Sequence, residues 1–232
     1  MKFELEVPLL GEAFLRLFYP SLCAVCSRLL ELEEKRLCIE CFNRLHPLRL
    51  EPSEERIRVT LPATEEGWSL FRYDGLVKEL FHKIKFEGRR DLLRVFYPEL
   101  TQFLTRRTPL ASYDWILPIP LDSRRRLERE FNQSGLVAKR IHKFLRGPKL
   151  LAWALIRWPS VLPQSLLGRE ARRINIRRAF HLLRDRAVRG RSVLLVDDIF
   201  TTGATLGEVS SLLKSAGAAR VGFLTLARTF AH

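Results

Sequence analysis

Apolar residues along this chain fall into two kinds of run. In the first kind they follow one another without alternation: Val193–Val196, DWILPIP at Asp114–Pro120 and ARVGFLTLAR at Ala219–Arg228. Such runs predict strands covered on both faces, as in a parallel sheet. WSLFRYDG, from Trp68, reads as a further strand and turn. In the second kind the apolar positions recur at helical spacing, which predicts helices over Leu76–Ile84, Leu92–Leu104, Gln133–Leu145 and from about Leu206 to Ala216. A shorter amphipathic helix is expected at Gly11–Phe18. Strands alternating with helices predict an α/β fold, a mostly parallel sheet flanked by helices. Residues 47–66, with Pro47, Pro52, Pro62 and a cluster of acids, read as a connection with an irregular hairpin.

The polar residues that interrupt this pattern carry the candidate chemistry. Asp197 and Asp198 follow the apolar run at 193–196, which places two carboxylates at the carboxyl edge of the sheet, where open α/β sheets bind ligands. Thr201, Thr202, Gly203, Ala204 and Thr205 then form a hydroxyl-rich turn that opens the next helix. Backbone N–H groups and the positive end of a helix dipole favour a phosphate there. Carboxylates one turn earlier would repel that phosphate, so they imply hydroxyls or a cation about a sugar's width away. A ribose 5-phosphate meets both demands.

All four cysteines lie near the N-terminus as two C-x2-C pairs, Cys23 with Cys26 and Cys38 with Cys41. Two such knuckles complete a tetrahedral four-thiolate zinc site, which is closed and therefore structural. The expected organisation is a zinc module over residues 1–50 and an α/β domain over residues 51–232.

Charge adds a further constraint. Forty Lys and Arg against 26 Asp and Glu give 40 − 26 = +14. A balance of this kind suits a polyanion, nucleic acid included. The most apolar segment, 150–167, is broken by Arg157, Pro159 and Pro163, so no membrane span is expected. Glu4, Glu6 and Glu12 interrupt the N-terminal apolar positions and argue against a secretory signal, which predicts a cytoplasmic protein. Three basic clusters stand out. Lys85, Arg89 and Arg90 surround Gly88 and read equally as a solvated loop or an anion contact, the latter making them candidates for nucleic acid. Arg124, Arg125, Arg126 and Arg129 follow a strand end and are candidates for a pyrophosphate, or else a solvent-facing turn. The stretch 164–180, with Arg169, Arg172, Arg173, Arg177, Arg178 and Asn175, reads as a core helix with a charged face or as a cationic flap.

VDDIFTTGAT resembles the 5-phosphoribosyl-1-pyrophosphate (PRPP) motif of type I phosphoribosyltransferases. With the double C-x2-C, YDG, KFEG, PIPL, REFNQ and the Gln164–Phe180 stretch, nearly the whole chain resembles the competence protein F (ComF) family. The resemblance implies a type I phosphoribosyltransferase fold behind a small zinc module. It implies ribose hydroxyls on Asp197 and Asp198, the 5-phosphate on Thr201–Thr205, Mg2+ bound with PRPP, and arginines near pyrophosphate. It also implies a cytoplasmic role in natural transformation and DNA uptake, contact with single-stranded DNA, and competence partners such as a DNA helicase. A nucleotide-metabolism transferase with an unidentified acceptor and a non-catalytic adaptor remain open beside it. Two positions depart from the family pattern, Glu130 replacing a glycine and Val161 a threonine; separately, Thr201 stands where purine salvage enzymes place an aspartate, which weighs against a salvage role.

Overall fold

A computed structural model describes residues 20–57, 61–106, 108–121, 131–158 and 179–230. Its strands are β1 (Glu66–Arg72), β2 (Trp115–Pro118), β3 (Lys149–Leu150), β4 (Leu155–Arg157), β5 (Phe180–Leu182), β6 (Ser192–Phe200) and β7 (Arg220–Arg228). Five of them form one sheet in the order β1-β7-β6-β2-β3, every neighbouring pair parallel. β4 and β5 pair as a separate antiparallel hairpin. The helices are α1 (Ile39–Asn43), α2 (Gly75–Phe86), α3 (Tyr97–Arg106), α4 (Gln133–Leu145), α5 (Asp185–Val188) and α6 (Ala204–Ser215).

The uninterrupted apolar runs are explained by cover on both faces of the sheet. Leu194 and Val196 of β6, with Leu224 and Leu226 of β7, join a core containing α2, α3 and α4. Val193, Leu195, Val221 and Phe223 join an opposite core containing α6. The first core also takes in Cys23, Leu30, Leu37, Cys38, Cys41 and Leu45, so the cysteine segment shares apolar contacts with the strands and helices behind it. Burial at roughly 25 cal/mol per Å² of apolar surface makes this shared core the main force holding the segment in place.

Two expectations change in detail. The periodic stretch 92–104 is not one helix: a 3-10 helix covers Arg90–Phe96, and α3 restarts at Tyr97. Pro98 explains the break, because it has no N–H to continue the preceding hydrogen-bond ladder yet fits the first turn of a new helix. Among its described residues the segment after residue 47 does not pair with itself. It runs along β1 through the isolated antiparallel bridges Arg49↔Phe71 and Arg56↔Trp68. Its acids are part of the reason: Glu55, 1% exposed, accepts from Arg106 at 2.6 Å, and Arg49 lies 3.3 Å from Glu99. A buried carboxylate needs such a partner.

Pro118 ends β2, and Pro120 follows at once. Pairing between β2 and β6 therefore stops at Pro118↔Val196, while β6 continues to Phe200 against β7 alone. Among the described residues, the last four of β6 have a strand neighbour on one side only. That step in the sheet leaves the acidic pair at its carboxyl edge.

Candidate functional site

Asp197 and Asp198 project from this half-paired end of β6, and two elements that flank the sheet bracket them. Ser134, in the first turn of α4, donates its hydroxyl to Asp197 Oδ1 at 3.0 Å, and the Asp198 backbone N–H donates to the same oxygen at 2.9 Å. On the other side Lys85, in the last turn of α2, places Nζ 2.8 Å from Asp198 Oδ2. Lys85 also lies 5.6 Å from the centroid of the buried Phe81 ring. Its tether to the acidic pair was not legible in the spacing, which left it between a solvated loop and an anion contact.

The two carboxyls are not equivalent. Burial, and then the neighbouring charge of Asp198, push the Asp197 carboxyl up to about 7, against the opposing pull of the Asp198 N–H, Ser134 and Lys85. Asp198 takes the ammonium as its partner. The pair thus offers a shielded acceptor beside a charge-paired one, an arrangement typical of functional sites and suited to two adjacent hydroxyls.

Past Phe200 the chain turns through exposed Thr201 and Thr202 to Gly203, which has φ 74° and serves as the N-cap of α6. No side chain caps this helix, and the Thr202 hydroxyl accepts from the Ala204 N–H at 3.4 Å. Apart from Ala204, the first-turn amides carry no side-chain cap among the described residues, and with the helix dipole they favour an anion. α6 starts at Ala204, two residues ahead of expectation, so these amides belong to the loop itself. Gly203 is required twice over. Its φ is left-handed, and a Cβ would lie 2.6 Å from Leu61 Cδ2 and 2.9 Å from the Phe200 ring. A cavity of about 700 Å³ lies along the same helix, lined by Thr202, Gly203 and Ala204 of the loop and also by Leu61, Phe180 and Glu208. Burial lifts the Glu208 carboxyl to about 7, and an acid in an apolar wall suits no phosphate. The amide face of the loop is therefore the better anion site.

The other candidates are placed as follows. Arg89 makes a bidentate bond to Asp91 at 3.0 and 3.1 Å, and Arg90 is exposed. Arg124, Arg125, Arg129, Arg169, Arg172, Arg173 and Asn175 lie outside the described residues, as do Glu130, Val161 and the expected helix at 11–18. Ser134 was missed by the sequence reading. The REFNQ string that precedes it was the available signal, since it ends in Asn132 and Gln133 at the start of α4. Asn132 donates Nδ2 to the Ile119 carbonyl at 3.0 Å. Asn132 Oδ1 and Gln133 Nε2 are buried with no partner among the described residues, as happens where a ligand completes the set.

The cysteine cluster is built locally. The first knuckle is folded by Ser27, with φ 59°, whose N–H donates to the Cys23 carbonyl at 3.0 Å. In the second, Cys38 caps α1 and its sulfur accepts from the Cys41 N–H at 3.5 Å. All four sulfurs lie within 4.8 Å of one another, and Cys26 Sγ is 3.6 Å from Cys38 Sγ. Sulfurs about 2.3 Å from one tetrahedral ion stand about 3.8 Å apart, whereas a disulfide needs about 2.05 Å. The cysteines are free thiols arranged to hold a metal ion. Among the described residues no helix is long and apolar enough to cross a membrane.

Comparison with known proteins adds three relatives and one family. A phosphoribosyl transferase domain model matches residues 166–231. The chain is 32% identical over 216 residues to the DNA utilization protein YhgH of Escherichia coli O157:H7, covering 90% of this chain and 91% of that protein. It is 32% identical over 221 residues to competence protein F of Haemophilus influenzae, covering 90% of each. With competence protein ComFC of Bacillus subtilis it shares 29% over 175 residues, 75% of this chain and 68% of the relative. The parallel sheet and the matched domain agree on a phosphoribosyltransferase-like fold, preceded by the four-cysteine cluster.

Proposed function

Because the chain belongs to the family of competence protein F, ComFC and the DNA utilization protein YhgH, we propose that it binds PRPP and acts in DNA uptake or utilisation, contacting single-stranded DNA in the cytoplasm. The observation that carries the PRPP reading is the joint geometry at the end of β6. Two carboxyls bracketed by Ser134 and Lys85 stand one turn before an uncapped helix N-terminus that begins at a left-handed glycine. In this reading Asp197 and Asp198 accept the ribose hydroxyls, and the amides and hydroxyls of Thr201–Thr205 take the 5-phosphate. Mg2+ bound with PRPP neutralises pyrophosphate charge. The transfer open to such a site is displacement at the anomeric carbon. A nucleophile forms the new bond while the carbon–oxygen bond to pyrophosphate breaks, and pyrophosphate leaves with the electron pair. The protein's contribution is position and fixed charge.

In the same reading residues 1–50 form a module held by one structural zinc on Cys23, Cys26, Cys38 and Cys41. The sulfur spacing supports this. The net charge of +14 supports a strand-binding role that tolerates sequence. The test is titration of the purified protein with PRPP and Mg2+, and separately with single- and double-stranded oligonucleotides at two salt concentrations. Expected are Mg2+-dependent PRPP binding and a preference for single strands that weakens steeply as salt rises. Turnover of PRPP with a free nucleobase and indifference to DNA would instead mark a nucleotide-metabolism transferase.

A further inference from the structure

We propose that the groove between the β4–β5 hairpin and helix α4 is the path of a single DNA strand, with Trp153 and Trp158 as stacking platforms and Lys139 and Lys143 beside its phosphates. This rests on the single-strand reading above and assigns it a surface. The groove measures about 510 Å³ and runs from Asn132 and Gly135, at the start of α4, past Lys139 to Trp153, Ile156 and Leu183. None of its described lining residues is acidic.

Of the two indoles on the hairpin side, Trp153 lines the groove and Trp158 follows the end of β4 outside its described lining. In the β4–β5 register Ile156 faces His181 while Arg157 faces Phe180, so the two faces of the hairpin differ. Phe180 is buried, with Arg157 5.2 Å over its ring, and that face closes on the core. The other face carries Trp158 edge-on to His181 at 6.4 Å, and Trp158 is 58% exposed. Trp153 is 73% exposed and Leu183 59%. Two large indoles left in solvent on one small hairpin form the kind of patch that marks a binding surface. The opposite wall carries Lys139, and Lys143 stands one helical turn further along α4, outside the described lining; both are exposed, and neither has an ion-pair partner among the described residues. Aromatic faces take successive bases of any sequence, while lysines along the groove take the backbone.

The basic cluster near Phe86 is the less suitable surface. Phe86 is exposed there, but Lys83 lies 3.8 Å from Glu87, Lys85 is held by Asp198, and Arg89 is held by Asp91. Those cations already face carboxylates. The groove reaches Asn132, two residues before the Ser134 that donates to Asp197, so a strand lying in it approaches the ribose site.

The experiment uses the whole chain and a fluorescent oligothymidylate, which has no structure of its own, with binding read by anisotropy and by tryptophan emission. Each of Trp153→Ala and Trp158→Ala should weaken binding roughly five- to a hundredfold. The variant Trp153→Phe/Trp158→Phe keeps ring faces and should bind nearly as the wild type, but without the emission quenching that the wild type shows. Lys139→Glu with Lys143→Glu should lower the slope of log affinity against log salt by about 0.7 for each phosphate that is no longer neutralised. All four side chains are exposed, and a thermal melt checks that each variant is folded. If the wild type ignores the oligonucleotide at low salt, the single-strand reading itself fails. If the wild type binds without quenching and both alanine variants bind equally well, the strand lies elsewhere and this inference is overturned.

Discussion

The cysteine cluster and the carboxyl edge of the sheet are built on opposite plans. The cluster draws its four sulfurs from neighbouring turns, buries three of the four cysteines, and brings all the sulfurs within 4.8 Å of one another. The edge draws Lys85 from α2, Ser134 from α4, the acidic pair from β6 and its amides from the start of α6. Four sulfurs suffice to surround one tetrahedral metal ion and would leave no position for a substrate. The edge keeps an acid whose charge burial opposes, uncapped amides, and orphaned polar atoms on Asn132 and Gln133. One region is arranged for stability and the other leaves interactions for a ligand to complete.

The comparison breaks first if metal removal is harmless. Chelation, or Cys38→Ser, should lower the melting temperature more than any change at the sheet edge. Structural zinc sites contribute on the order of 10 kcal/mol in isolated peptides, and several kcal/mol should be felt here because the cluster shares its core with β1 and α2. Scanning calorimetry with and without chelator checks this, and an unchanged melt contradicts it. Next in size is Gly203→Val. Left-handed strain of about 1–2 kcal/mol adds to overpacking of about 1–3 kcal/mol against Leu61 and Phe200, so stability falls and phosphate binding is lost. A melt beside a phosphate titration separates the two effects, and an unaffected melt would show that the loop can yield.

A third prediction concerns pH. The folded-state value for Asp197, about 7, lies above its ordinary 3.8, so between those values the folded chain binds more protons than the unfolded one. Stability from this group is therefore full below about pH 4 and is lost as pH rises through about 7. Asp197→Asn removes that slope. The variant should equal the wild type at pH 4 and exceed it at pH 8 by on the order of 2–4 kcal/mol, read from denaturant melts across that range. Identical pH profiles for the two proteins would mean that the carboxyl ionises freely.

What could be read ahead of the structure follows the same division. The cysteines announced themselves because all four ligands sit at fixed spacing in one short stretch, and metal geometry leaves few other arrangements. Val193–Val196 and the glycine-centred loop were legible for a similar reason, since strand, acids and turn are contiguous. Ser134 and the tether of Lys85 to Asp198 were not, because only the sheet order brings α4 and α2 to the two sides of β6. The break at Pro98 was legible in principle. It was masked by apolar spacing that continues through it while the backbone changes from 3-10 to α. Trp153 and Trp158 carried no sequence signal either, as exposure depends on which face of the hairpin meets the core.

The central claim is that the acidic pair at the end of β6 holds the ribose of PRPP, and Asp198→Asn tests it most directly. The change keeps shape, leaves the Lys85 ammonium beside a neutral amide, and removes an anionic acceptor at a site only partly exposed. Calorimetric titration with PRPP and Mg2+ should show affinity weaker by about ten- to a hundredfold, the loss of one charge-assisted hydrogen bond of roughly 1.5–3 kcal/mol. Undiminished PRPP affinity in a folded Asp198→Asn protein would contradict the account.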